Sequence, residues 1–405
     1  MQTDLAEFIK GTPDGDRADE ILRKCVHCGF CTATCPTYQL LGDELDGPRG
    51  RIYLMKQVLE GEPVTTRTQT HLDRCLTCRS CETTCPSGVE YGKLLEIGRR
   101  VVDERVPRSG VDKLARATLN RIIPDGKLFS RLMRAGRLVR PVMPKLLKSK
   151  IAPARERGDW PAPKHSRRMA VLEGCVQPTL APDINAAAAR YLDSVGISLV
   201  AAPDAGCCGA VGLHNSDHDG ALEAARRNID AWWPMVEAGL EAIVMTASGC
   251  GVVVADYGDL LRDDAAYADR ARRISELTVD LSAVVADNPP RARLDKTQKI
   301  AFHPPCTLQH GLKITGVVEK ILRDAGFELT PVRDAHLCCG SAGTYSLLQP
   351  EISSALKTRK LEALTQGAPE IIASANIGCL THLEPDAGVP VRHWIELLGT
   401  RPFIG

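Results

Sequence analysis

Eight of the sixteen cysteines in this chain fall in two copies of one pattern, Cys-x2-Cys-x2-Cys-x3-Cys-Pro. The first copy is Cys25, Cys28, Cys31, Cys35 and Pro36; the second is Cys75, Cys78, Cys81, Cys85 and Pro86. Three closely spaced thiolates can grip three corners of one cubane from a tight loop. The fourth, set further off before a proline that ends the loop, is free to reach a neighbouring cluster. The spacing therefore predicts two [4Fe–4S] clusters, one on Cys25, Cys28, Cys31 and Cys85, the other on Cys75, Cys78, Cys81 and Cys35. Electron transfer is the function this implies. Structural zinc also uses Cys-x2-Cys pairs, but a single tetrahedral ion gives no reason for a duplicated four-cysteine run that ends each time in proline. A disulfide framework belongs to small secreted domains, and residues 1–20 contain no apolar signal segment.

A chain of 405 residues is long enough for two or three domains with ample cores. Its longest largely apolar stretch, around Ile243 to Ala255, is interrupted by Thr246, Ser248 and two glycines and is too short to span a bilayer. Many cysteines without an export signal point to a reducing cytoplasm, where thiolates stay available for metal. The net charge of +1 conceals an asymmetry: residues 105–168 hold 18 Lys or Arg against 4 Asp or Glu. Such a split marks a segment that meets an anionic surface.

Residues 1–104 read as the cluster domain, with helical apolar spacing at Ile52, Met55 and Leu59 and again from Leu94 to Val102. This predicts an α-helical ferredoxin domain with its clusters enclosed by helices. Arg49 and Arg51, which precede the first of these helices, are candidates for stabilising the anionic cluster surround or for plain surface roles. Residues 105–168 read as a basic, proline-punctuated linker. Within it Leu128, Phe129, Leu132, Met133, Leu138, Val139 and Val142 alternate with Lys127, Arg131, Arg134, Arg137 and Arg140 as a basic amphipathic helix. Such a helix either packs on its own protein or lies on anionic lipid or a partner subunit. Nucleic acid is not expected, given the redox motifs and few aromatics.

The other eight cysteines expose a second duplication. Residues 169–292 carry Cys175, Cys207, Cys208 and Cys250; residues 293–405 carry Cys306, Cys338, Cys339 and Cys379, and each doublet is followed by glycine. In both copies 31 residues separate the first cysteine from the doublet, and 41 or 39 separate the doublet from the last. Equal spacing on this scale is a repeat. Around it, short strand-like runs (169–172, 198–201, 242–245, then 299–302, 328–332, 371–374) alternate with helical stretches, which predicts parallel sheets. Ligand groups in such sheets collect beyond the carboxyl ends of strands, so each copy can bring four thiols together. Adjacent cysteines suit a multi-iron cluster; a redox-active vicinal disulfide, buried thiols and zinc remain open readings. His214, His303, His310, His336, His382 and His393 lie near these cysteines. Each is a candidate ligand, proton donor to a quinone or redox-tuning residue, or an ordinary structural histidine.

A double [4Fe–4S] domain followed by two Cys-Cys-Gly repeats resembles the iron–sulfur subunits of flavin-linked dehydrogenases. These include anaerobic glycerol-3-phosphate dehydrogenase, the lactate utilisation proteins and the heterodisulfide reductase group. The strings from Cys25 to Tyr38, Leu45 to Tyr53, Asn228 to Pro234, Cys338 to Tyr345 and Thr381 to Leu383 are most similar to the glycolate oxidase iron–sulfur subunits. The resemblance implies a multisubunit glycolate dehydrogenase whose flavoprotein subunits bind FAD and oxidise glycolate to glyoxylate. This chain would then relay electrons towards a membrane quinone or another acceptor, peripherally on the cytoplasmic face of the inner membrane, without turning over substrate itself. The absence of a Rossmann glycine fingerprint agrees with a flavin held elsewhere. In the heterodisulfide reductase group each repeat ends in Cys-x2-Cys; here Ala247 and Asn376 stand where the extra cysteines would be. That argues against heterodisulfide cleavage and leaves a third or fourth cluster as an open expectation; the alternatives are a thiol or disulfide reductase with its chemistry at the repeats, or a lactate or glycerol-3-phosphate dehydrogenase iron–sulfur subunit.

Overall fold

The computed structural model describes residues 1–142, 151–289 and 297–399. The first hundred residues are helical. Pro13–Lys24 begins at Thr12, whose hydroxyl accepts the Gly15 N–H, and carries Asp14 and Asp16 in its first turn and Arg23 and Lys24 in its last, matching the helix dipole. It buries Ala18, Ile21 and Leu22 and ends as Cys25 turns to extended backbone, delivering the first motif thiol at the helix end. Pro48–Leu59 and Tyr91–Arg105 complete the core through Ile52, Met55, Leu59, Leu94, Leu95 and Val102. They approach closely because residue 98 is glycine: a Cβ there would lie 2.6 Å from the Met55 side chain.

The basic segment does more than connect. Gly110–Ile122 is a helix that the sequence pattern left unmarked, capped by Ser109. Arg116, buried in it, pairs with Asp73 at 3.1 Å, and Arg108 pairs with Asp73 and Asp103. Gly126–Val139 follows, capped by Asp125, with Leu128, Phe129 and Met133 half-buried and Leu132, Leu138 and Val139 exposed.

Two four-stranded parallel sheets come next. The first has order β2-β1-β3-β4, with β1 Arg167–Val171, β2 Ile197–Ala201, β3 Ala242–Met245 and β4 Thr278–Asp280. The second repeats it as β6-β5-β7-β8, with β5 Lys299–His303, β6 Glu328–Leu329, β7 Ile371–Ser374 and β8 Val391–His393. The fourth strand of each sheet was not expected, and the expected strand 328–332 shortens to two residues because pairing with β5 reaches only Leu329. The boundary expected between residues 292 and 293 lies outside the described residues. Helices Asp183–Ser194 and Trp394–Gly399 pack together, so one apolar core runs from Val171 and Ile184 to Phe302 and Trp394 and fuses the two repeats. Among the described residues, no helix is long and apolar enough to cross a membrane.

Candidate metal centres

Each ferredoxin-type motif is a loop with two left-handed residues at the same offsets: His27 and Gly29 in the first, Thr77 and Arg79 in the second. Three of these are not glycine, a local cost of about 1 kcal/mol each that the surrounding structure must over-determine. The double turn brings the first three thiols of each motif to one recess. At Gly29 a side chain would also meet the Arg49 guanidinium at 2.6 Å, so glycine serves both the turn and the close approach.

The thiols gather in two crossed groups. Cys25, Cys28, Cys31 and Cys85 line one recess, together with His27, Arg49 and Tyr91, with about 440 Å³ of empty space. Cys75, Cys78, Cys81 and Cys35 line a second, with about 300 Å³. Pro48, Cys81 and Tyr91 belong to both walls, so the two recesses adjoin. Burial, and after it repulsion from neighbouring thiols, pushes the Cys31 thiol up to about 11 and drives Cys78 and Cys81 well above the usual thiol range. Four thiols packed this way ionise only when a cationic centre compensates them. The donor set fits two iron–sulfur cubanes: all sulfur, three thiols from one loop and the last of the other at each recess, with Cys81 standing on both walls.

The surroundings of the second recess supply positive charge and hydrogen bonds. Arg51 is 1% exposed beside Cys35 and Cys75. It donates to the His71 carbonyl at 2.7 Å and the Thr37 hydroxyl at 3.1 Å, and it pairs with Asp46. Tyr91 donates to Cys75 Sγ at 3.5 Å, and the Thr77 N–H does so at 3.4 Å. Arg99 clamps the carbonyls of Leu72 and Cys75 at 2.8 Å. Arg49 pairs with Glu44 near Cys31 and remains partly exposed. Tyr91 and Arg99 carried no signal in the sequence, because each acts through a contact distant along the chain.

In each repeat the four remaining cysteines meet at the ends of the strands. Cys175, Cys207, Cys208 and Cys250 form a row of interacting thiols. Within it Cys207 is held low by donation from Cys175 and Cys208, by the Gly209 N–H at 3.5 Å and by Arg227. In the second repeat Cys306 and Cys338 lie 3.8 Å apart, and Cys339 neighbours Cys338 and Cys379. Cys78 of the second recess faces Cys306 and Cys338. Asn376, where an extra cysteine was sought, donates to Cys379 Sγ at 3.5 Å and accepts the Gly249 N–H at 3.2 Å, tying one repeat to the other. Ala247 is buried and caps the helix that carries Cys250.

The histidines divide by role. His214 meets the Thr77 hydroxyl at 2.9 Å and His310 the Thr83 hydroxyl at 3.0 Å, so each repeat grips the second cysteine motif through one imidazole. His336 offers its carbonyl to His310. His382 lies 3.4 Å from the Ser353 hydroxyl, and His393 bonds the Thr246 carbonyl at 2.9 Å. His303 is buried with neither ring nitrogen hydrogen-bonded.

Comparison with known proteins agrees with this architecture. Residues 21–89 match the 4Fe-4S dicluster domain model, and residues 169–255 and 300–384 both match the Cysteine-rich domain model. The glycolate oxidase iron-sulfur subunit of Escherichia coli (strain K12) is 54% identical over 401 residues, covering 98% of each chain. The probable glycolate oxidase iron-sulfur subunit of Bacillus subtilis (strain 168) is 30% identical, covering 91% of this chain and 90% of its own. A crystal structure of a hypothetical protein from Helicobacter pylori superposes with TM-score 0.52 at 10% identity, over 98% of this chain and 74% of that one, a likeness of fold alone. An iron–sulfur domain of this kind, fused to a duplicated cysteine-rich body and alike in sequence from end to end, places the chain in the family of glycolate oxidase iron-sulfur subunits.

Proposed function

We propose that this chain is the electron-transfer subunit of a flavin-dependent 2-hydroxy-acid dehydrogenase acting on glycolate. FAD and the substrate pocket would lie on partner subunits, and a quinone or another acceptor would take the electrons. The observation that carries this is the crossed convergence of eight thiols in two adjoining recesses. In this reading Cys25, Cys28, Cys31 and Cys85 hold one [4Fe–4S] cluster and Cys75, Cys78, Cys81 and Cys35 the other. Bound clusters supply one-electron transfer, the outlet a two-electron flavin requires. The protein's part is to set potential and access. Arg51, Tyr91 and the Thr77 N–H stabilise negative charge at the inner site. Exposed Cys28, between exposed Val26 and Phe30, leaves the outer site open to a redox partner. The four thiols of each repeat are further metal-binding candidates. High identity over nearly the whole chain favours glycolate over lactate or glycerol 3-phosphate as the complex's substrate.

The basic helix Gly126–Val139, with Arg131, Arg134, Leu132 and Leu138 exposed, suits a peripheral contact with anionic lipid. The test of the functional reading is affinity purification from cells under anaerobic conditions, followed by addition of glycolate. Co-purification of an FAD protein and glycolate-dependent bleaching of the iron–sulfur absorbance are expected. Recovery of a fully loaded chain with no flavoprotein would contradict the subunit role.

A further inference from the structure

The two repeats carry the same four cysteines but differ three residues before the first of them. β1 and β3 align Val171 with Val244, and β5 and β7 align Phe302 with Ala373. Leu172 and His303 therefore occupy equivalent places, each three residues ahead of Cys175 or Cys306. Leu172 is a buried apolar side chain that nothing need satisfy. His303 is 1% exposed, and among the described residues neither of its ring nitrogens has a hydrogen-bond partner. The other deeply buried histidines, His71, His310 and His393, all have one. A buried, unpaired imidazole is costly and calls for a ligand.

The missing partner has an evident place. One ring nitrogen of His303 and the Cys339 and Cys379 sulfurs all lie within 4.8 Å of one another, and all three residues are buried. A tetrahedral ion with sulfur at about 2.3 Å and nitrogen at about 2.0 Å holds its donors roughly 3.5 to 4 Å apart. The three atoms thus lie close to the spacing of one ion's shell. The buried Lys360 ammonium faces Cys339, Cys338 and Cys306 and offsets their negative charge. Besides Cys339 and Cys379, Lys360 and His382 are the charged or titratable groups that face His303. Asn376 steadies Cys379 from the side.

We propose that His303, Cys339 and Cys379 bind one borderline-soft divalent ion, zinc or an iron of a cluster, in mixed sulfur–nitrogen coordination. The first repeat, with Leu172 in the equivalent place, offers sulfur alone. This rests on the reading of the repeats as metal-binding. Imidazole in place of thiolate removes one negative charge from the centre and raises the potential of an iron site.

The test uses the full chain, purified anaerobically, with metal analysis, X-ray absorption at the zinc and iron edges, and pulsed EPR after 15N-histidine labelling. The expected result is metal beyond the irons of the two ferredoxin-type clusters, with imidazole scattering at the zinc edge or a histidine nitrogen coupling to iron. His303→Leu, which copies the first repeat, should abolish that signature and, in the zinc case, lose about one ion per chain. The wild-type spectra stand even if the variant misfolds. Extra metal with purely sulfur coordination, or an imidazole signature that survives His303→Leu, overturns the role of His303 but leaves metal binding by the repeats intact. No metal beyond the two clusters overturns both.

Discussion

Arg51 is buried between two thiol groups and a carboxylate, and each of its three guanidinium nitrogens donates one hydrogen bond, to the His71 carbonyl, the Thr37 hydroxyl and Asp46. Asp46 in turn also bonds His71 at 3.0 Å and Arg74 at 2.8 Å. Replacing Arg51 with Met leaves that carboxylate short of one partner and the inner cysteine site short of one positive charge. Stability should fall by about 3 kcal/mol in thermal or denaturant unfolding, as when one member of a buried ion pair is lost, and the inner cluster should shift to a lower potential in a redox titration. Crossing of the motifs has its own signature. Cys35→Ser should disturb the cluster held mainly by the second motif, and Cys85→Ser the one held mainly by the first; EPR of each variant distinguishes them. Local spacing made the eight motif cysteines legible, and the string around Arg49 and Arg51 flagged those arginines. The roles of Arg99 and Tyr91 were not legible, because each depends on what lies across the fold, and His303 stood only as one of six candidate histidines. In sequence His303 looks no different from His310, yet one is unpartnered and the other bridges two domains.

At the scale of elements, periodicity found the long helices and most strands. It missed β4 and β8, three residues each, which are too short to show a pattern and are recognised only by the strands beside them. It also missed the helix Gly110–Ile122, which is held largely by ion pairs of Arg108 and Arg116 with Asp73 rather than by an apolar stripe. Much of the basic segment's charge is consequently spent inside the molecule. Arg137 is likewise occupied, donating to the carbonyls of Ala152 and Thr179. The proposed lipid contact would therefore rest on Lys127, Arg131 and Arg134, which are exposed. Arg131→Gln with Arg134→Gln should weaken sedimentation with anionic vesicles several-fold, at roughly 1 kcal/mol per charge, without loss of cluster absorbance. Unchanged sedimentation would remove this helix from the membrane account.

Across the whole molecule the cysteine sites form a connected series. The outer recess shares walls with the inner one, and Cys78 of the inner one faces the thiols of the second repeat. The body holds this series in place through His214 and His310. An ion network also crosses from the helical domain to the first repeat, with Arg79 on Asp256 at 2.8 Å and Lys93 on Asp259 at 2.6 Å. The duplication itself was legible from cysteine spacing; that both repeats close onto the second motif was not, since no local pattern encodes which surfaces meet. His310→Ala should leave iron content unchanged but loosen this contact, seen as faster amide hydrogen exchange around Thr83. The central claim is that the crossed thiol groups hold two cubanes. Iron and acid-labile sulfide analysis of anaerobically purified chain with all repeat cysteines replaced by serine tests it most directly. The account predicts about eight irons and eight sulfides per chain; zinc without iron, or iron for a single cluster, would contradict it.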